Sequence, residues 1–488
     1  MKKQRAVCIT LAMILMLPMF SCRKSQGDQE ADQQEEAGNI AVSETEPEET
    51  IPETSYWETI EQRDLEGYSF RVVAWNYDER PHFAEEMTGD VVNDAIVARD
   101  QALKNRLNIE IVPIPYSDRG QLQNDVSKTI ASADDAYDMI VTAFSEGINT
   151  MTVQHNLLDL TTVPYVTLDS MYWNKPIADN MRFSGKQFFT SGVAVPGYFY
   201  GATHIVFNMN LADKLQLPDL HQMAVEGKWT IDNMASLMNG VAQDLNGDGV
   251  MTAEDDQFAA ILGHTLGNEM YTAAGLHALT CDNDGNWTFH LGEESTVNFV
   301  QKCAALFSDT TQMLNFPGTG VPEYNIFKEG RILFMDSTIA NTNSRVRGME
   351  DNYGILPIPV LNEGDPYITE CNTWLTSGIA IPVTAQNPDD LGLVFETMAA
   401  YSYDYLTPAF LEKMLGKVST TNADYQILKT IFDTCTFELN TIMDFGGSSI
   451  MMRGACFGVP ENYVSSYASI EKVAKKQLEQ FITSINTP

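Results

Sequence analysis

Phe70-Arg-Val-Val-Ala-Trp75 opens the segment on which the fold turns. This short, largely apolar, β-rich run suits a buried strand. Downstream, Val92, Ile96, Leu103 and Leu107 share one stripe at helical spacing. Ile109-Glu110-Ile111 then alternates as a strand, which Pro113 and Pro115 are expected to end. A second helical stretch, Leu122 to Ala131, leads into Tyr137-Asp-Met-Ile-Val-Thr-Ala143, another buried-strand run. Strand, helix, strand, helix, strand at this spacing predicts βαβ units and a largely parallel sheet, hence the α/β class. Open α/β sheets hold ligands beyond the carboxyl ends of their strands. That rule singles out Trp75-Asn76-Tyr77 and Phe144-Ser145-Glu146.

The pattern continues. Thr203 to Leu211 reads as a strand, and Thr230 as the N-cap of a helix with Met234, Leu237, Met238 and Val241 on its core face. Tyr353-Gly-Ile-Leu-Pro-Ile-Pro359 and Ser377-Gly-Ile-Ala-Ile-Pro382 are further strand-like runs, followed by a helix expected over 389–401. A last helix carries Ile470, Val473, Ala474, Leu478, Phe481 and Ile482 on one stripe, with Lys472, Lys475 and Lys476 toward solvent.

Composition bounds the partners. With 44% apolar and 20% charged residues over 488, most of the chain can build a core. Acidic side chains number 66 against 30 basic, a formal charge of −36. Phosphate backbones and anionic headgroups need a basic face, so nucleic acid and lipid-surface docking are excluded. Lys2, Lys3 and Arg5 precede an apolar stretch from Ala6 to Phe20. It falls short of the ~20 residues of a membrane span and suits a signal peptide over 1–21. Ser21-Cys22 resembles the lipobox of bacterial lipoproteins, in which Cys22 is diacylated and becomes the first mature residue. That places the protein on the outer side of the cell membrane, held by lipid alone. A plain secretory signal cut near Ser21 is the other reading. Residues 23–66 hold fourteen acids and three bases, a net of −11, and 22–65 read as a disordered, self-extending tether. Beyond Cys8 and Cys22 five cysteines remain, so at least one thiol is unpaired by disulfide.

One loop carries metal chemistry. Asp244, Asn246 and Asp248 occupy the first, third and fifth positions of an EF-hand-like template, with Gly249 at the sixth. The Val250 carbonyl, Thr252 and Asp255 follow at the seventh, ninth and twelfth. Hard oxygens at alternate positions suit one structural Ca²⁺. Asp255 stands where glutamate is usual, and Glu254 or Asp256 are alternative closing ligands. The competing reading is an acidic Asx-turn without metal.

Several stretches, in this order, resemble the extracellular solute-binding proteins of ABC transporters, the family that includes maltose-binding protein. They are YSFRVVAWNY (68–77), YDMIVTA (137–143), THIVFNMNLADKL (203–215), Trp229-Thr230, the DLNGDG loop (244–249), FKEGRILFM (327–335), YGILP (353–357) and SGIAIP (377–382). The resemblance implies a periplasmic-binding-protein-like fold: two α/β lobes joined by hinge segments, closing on a small solute. The lobes would take 66–205 plus 377–412, and 206–376 plus 413–488. A monomer would deliver its solute, a mono- or oligosaccharide, to an ABC permease, with no bond made or broken. Trp75, Asn76, Ser145, Glu146, Tyr198, Tyr200, Asp336, Asn341, Thr373 and Trp374 stand at loops the resemblance aims at the cleft. Sugars offer apolar CH faces and dense hydroxyls, which aromatic platforms and polar side chains suit. Tyr198 and Tyr200 have a bland alternative as core cover, and Trp374 as hinge packing. No G-x-S-x-G, H-E-x-x-H or P-loop occurs, but abundant carboxylates leave a secreted glycosidase open. A binding module feeding a membrane sensor is equally open.

Overall fold

A computed structural model describes residues 55–486 apart from 77–80, 174, 176–179, 264, 283–284, 308, 310, 317–322, 416–421 and 458–461. The signal peptide, Cys22, the tether to residue 54, and Tyr77 lie outside the described residues.

The first sheet begins with β1 (Tyr68–Trp75), α1 (Val91–Leu107), β2 (Ile109–Tyr116), α2 (Arg119–Ala131) and β3 (Met139–Ala143). β1 pairs in parallel with both β2 and β3. Asp90 caps α1 by accepting from the Val92 and Asn93 amides, and Asp118 caps α2 through the Gln121 amide. β2 runs through Pro113 and Pro115 instead of ending there. It is an edge strand, and Pro113 and Pro115, two apart in a parallel ladder, turn the same side outward. The Tyr116 carbonyl, one residue on, bonds the Asn76 amide of the β1 side at 3.0 Å. The missing N–H groups therefore face away from β1 and break no ladder bond.

The second sheet follows: β4 (Thr203–Asn208), β5 (Phe258–Gly263), α3 (Leu266–Ala273), the hairpin β6 (Leu279–Cys281) and β7 (Trp287–Phe289), α4 (Glu294–Phe307), β8 (Met313–Phe316), β9 (Ile332–Thr338) and β10 (Tyr353–Leu356). Its order is β10-β4-β9-β5-β8. The strand read over 203–211 stops at Asn208, whose side chain accepts from the Leu211 amide and starts a helix. Thr230 caps its helix as expected, accepting from the Asn233 amide.

The chain then returns. β11 (Thr369–Glu370) leads to β12 (Ser377–Ala380), which pairs antiparallel with β3 and completes the first sheet as β12-β3-β1-β2. Helix α5 (Pro388–Leu415) continues well beyond 401 and through Pro408, its second half held by buried Leu406, Phe410 and Met414. α6 (Asn422–Asp433), β13 (Cys435–Thr436) paired to β11, α7 (Ser448–Cys456) and α8 (Tyr463–Asn486) finish the chain. In α8 the buried face is Tyr467, Ala474, Leu478, Phe481 and Ile485, whereas Val473 is exposed.

The last residues assigned to the tether are folded. Trp57 stacks on Tyr401 with centroids 5.1 Å apart, and the Arg106 guanidinium lies 5.2 Å from the Trp57 ring. Arg63 pairs with Asp390 at 3.0 Å. The acid count of this segment hid the two aromatic anchors, Tyr56 and Trp57. The five described cysteines are free thiols, four buried and Cys281 exposed.

Candidate functional site

The carboxyl ends of the two sheets face a cleft with two adjoining cavities, of about 170 and 380 Å³. Both are bordered by Thr265, Glu269, Asn372 and Arg453. The larger falls within the ~300–1,000 Å³ range of small-molecule sites. A groove of about 610 Å³ between the β6–β7 hairpin and α8 is larger, but Lys475 and Glu479 are its only charged walls and both are exposed.

From the first sheet come an aromatic–cation stack and a hydroxyl pair. Trp75 ends β1, and its Nε1 donates to the Ser117 carbonyl at 3.2 Å. The Arg119 guanidinium lies 5.3 Å from the Trp75 ring and 4.8 Å from that of Trp374. Its Nη1 also donates to the Trp374 carbonyl at 2.9 Å, so one cation fixes both indoles. Ser145 follows β3, and its Oγ donates to Thr373 Oγ1 at 2.9 Å while its amide donates to the Thr373 carbonyl. Ser145, Thr373 and Trp374 line the smaller cavity.

From the second sheet come Asp336 of β9 and Asn341 in the turn after it, both on the larger cavity. Asp336 Oδ1 accepts from the Gly263 amide at 2.7 Å. A Cβ at residue 263 would sit 3.1 Å from Asp336 Oδ2, so glycine permits this approach. Burial pushes the Asp336 carboxyl up to about 6, against the pull of that amide. Asn341 Oδ1 is buried with no hydrogen-bond partner.

Ser145, Asp336, Asn341, Thr373 and Trp374 are thus brought to one cleft, and Trp75 joins through Arg119. Asn76 sits at the end of β1, its amide bound to the Tyr116 carbonyl. The Glu146 side chain lies outside the described residues. Tyr198 is in the core, edge-on to Phe199, with its hydroxyl donating to the Phe432 carbonyl at 3.3 Å. Tyr200 packs edge-on against Phe410 and borders a separate cavity. Both tyrosines are buried and line neither of the two adjoining cavities.

Residues not anticipated dominate the chemistry. Glu269 of α3 is 3% exposed, and its Oε2 has no partner. Burial, then the Glu370 and Asp336 carboxyls, push it well above the usual carboxylate range. Glu370 of β11 is 1% exposed; Oε2 accepts from Thr272 Oγ1 at 2.5 Å and Oε1 has no partner. Burial pushes it up to about 7, with the Glu438 carboxylate adding and the Thr272 hydroxyl opposing. The available signal was a lone charge in an apolar setting: Glu269 in LGNEMYTA, Arg453 in SSIMMRGAC.

The 244–256 loop lies away from these cavities. Asp244 accepts from the Gly247 and Gly249 amides at 2.7 and 2.8 Å, Asn246 from Asp248, and Asp248 from Val250. Gly249 has φ +82°, as the sharp turn requires. Asp256, buried, closes the loop through the Leu245 and Thr252 amides, whereas Asp255 is exposed. Among the described residues no three His, Cys, Asp or Glu side chains converge to hold a metal ion.

No family model matches the sequence. No curated protein matches it either. Solved structures do. A sugar transporter from Rhizobium etli in an open conformation superposes with TM-score 0.55 at 14% identity, covering 86% of this chain and 99% of that one. An ABC substrate-binding protein from Listeria monocytogenes in complex with cycloalternan gives 0.51 at 12%, covering 86% and 100%. UgpB from Mycobacterium tuberculosis in complex with glycerophosphocholine gives 0.51 at 13%, covering 86% and 99%. The chain therefore carries the two-lobed α/β fold of ABC-transporter solute-binding proteins.

Proposed function

We propose that the protein captures a carbohydrate in the cleft by hinge closure and delivers it to an ABC permease, as a binding protein and not an enzyme. The observation that carries this reading is the wall composition. An arginine-braced indole pair and hydroxyl side chains from one sheet oppose buried carboxyl and amide groups from the other. Indole faces take the CH surface of a sugar and the polar groups take its hydroxyls. The fold neighbours include proteins named for a sugar and for cycloalternan, which supports the class. The test is a thermal-shift screen of mono- and oligosaccharides followed by calorimetry, because ligand bound to the native state raises stability by RT ln(1 + [L]/Kd). If no saccharide raises the melting temperature, the reading fails. Sugar recovered uncleaved after incubation separates binding from hydrolysis.

Two further readings accompany it. Cys22 is a lipidation site that holds the protein outside the cell membrane; among the described residues no helix is long and apolar enough to cross one. Mass spectrometry of the membrane fraction decides between a diacylated Cys22 and a free terminus. The loop holding Asp244, Asn246 and Asp248 takes Ca²⁺ as a structural clip. The support is the alternate oxygen side chains about Gly249, with the Val250 carbonyl next in line.

A further inference from the structure

Resting on the carbohydrate reading, we propose that the cleft selects a saccharide carrying a free, protonated amine. Five carboxyl groups border the two cavities: Glu269, Glu370 and Asp444, with Asp336 and Glu323. Two guanidinium groups face them. Arg345 lies over Tyr324 at 5.2 Å, and Arg453 has no carboxylate within ion-pair distance among the described residues. Arg345 offsets part of the burial at Glu323 and Arg453 part of that at Asp444, which leaves the acidic excess on Glu269, Glu370 and Asp336. Glu269 borders both cavities, is 3% exposed, and turns an oxygen without a hydrogen-bond partner into this space. Glu370 Oε1 and Asn341 Oδ1 are likewise buried acceptors without partners on the same walls. A buried acceptor left unmade is costly, and a buried charge more so, so the site is built to receive donors.

Neutral sugar hydroxyls satisfy acceptors but do not offset charge. An ammonium does both, with three N–H donors on a compact cation. A bare metal ion fits poorly, because among the described residues no three carboxylates converge. The cavity volume calls for a ring scaffold as well as a cation. Burial raises the carboxyls of Glu269 and Glu370, which fits groups that ionise fully when a cation arrives.

The experiment compares near-isosteric probes by calorimetry at pH 7.5: the β-1,4-linked glucosamine dimer, its di-N-acetyl form, and cellobiose. The glucosamine dimer is expected to bind about tenfold or more tightly than the other two, as a charge-assisted hydrogen bond implies. Glu269→Gln should erase most of that preference, bringing the glucosamine dimer to within about threefold of cellobiose measured on the same variant. Glu370→Gln, with melting curves of both variants, guards against a fold defect in either one. Equal or tighter binding of the N-acetyl form or cellobiose overturns the amine selection and leaves the carbohydrate reading intact. Binding of none of the three overturns the amine selection, while the carbohydrate reading stands or falls with the wider saccharide screen.

Discussion

Replacing Glu370 by Gln should stabilise the ligand-free protein at alkaline pH and not at acid pH. Glu370 is 1% exposed, with one oxygen on Thr272 and the other without a partner. Its carboxyl, ordinarily near 4.5, is pushed up to about 7 by burial and by Glu438. Below pH 4.5 folded and unfolded chains both hold the proton, so the group contributes nothing. As pH rises the unfolded chain releases that proton first, and stability falls until the folded group ionises near 7. A gap of roughly 2.5 pH units corresponds to about 3 kcal/mol. For a folded unit of some 430 residues, at about 2.1 cal/mol/K each, that is about 3–4 °C in Tm. The buried amide of glutamine adds its own cost, but one independent of pH. The readout is therefore the change, between pH 5 and pH 8, in the Tm difference between variant and parent. It should move by about 3 °C in favour of the variant as pH rises. A Tm difference constant with pH would refute the placement of this carboxyl in a water-poor cleft.

Other perturbations probe other parts. Trp374→Ala should weaken saccharide binding about tenfold with a small change in Tm, since the ring is partly exposed; unchanged calorimetric affinity would remove it from the site. Trp75→Ala should weaken binding as well and cost about 2–4 kcal/mol of stability in urea titration, because its side chain is buried. Millimolar Ca²⁺ should raise Tm relative to excess EDTA through the Asp244–Asn246–Asp248 loop; coincident melting curves would dismiss the ion. In a chain starting at residue 55, a thiol reagent should titrate one cysteine natively, Cys281, and all five after denaturation. Burial raises the Cys303 and Cys371 thiols well above their usual range, which slows them further.

The α/β class was readable because the runs at 70–75 and 137–143 are largely apolar, as covered parallel strands are, their charges Arg71 and Asp138 pairing with each other at 2.7 Å. Ser145 and Trp75 were reachable for the same reason, because topology alone places strand ends at a cleft. Glu269 and Glu370 were not, since a carboxylate in an apolar run looks the same whether it is paired or left waiting. Trp57 was masked by its acidic neighbours, although a tryptophan can anchor a segment whose mean hydropathy is low. Val473 went to solvent because α8 lies on the Phe445 and Phe183 rings, which choose its face.

Pro113 and Pro115 carry a consequence for life in a crowded environment. A bare sheet margin invites a neighbour's backbone to dock along it, and from there into swapped dimers or fibrils. By presenting pyrrolidine rings where donors would stand, the β2 margin denies an incoming strand two of its four outward N–H donors. That margin is thereby kept from becoming adhesive.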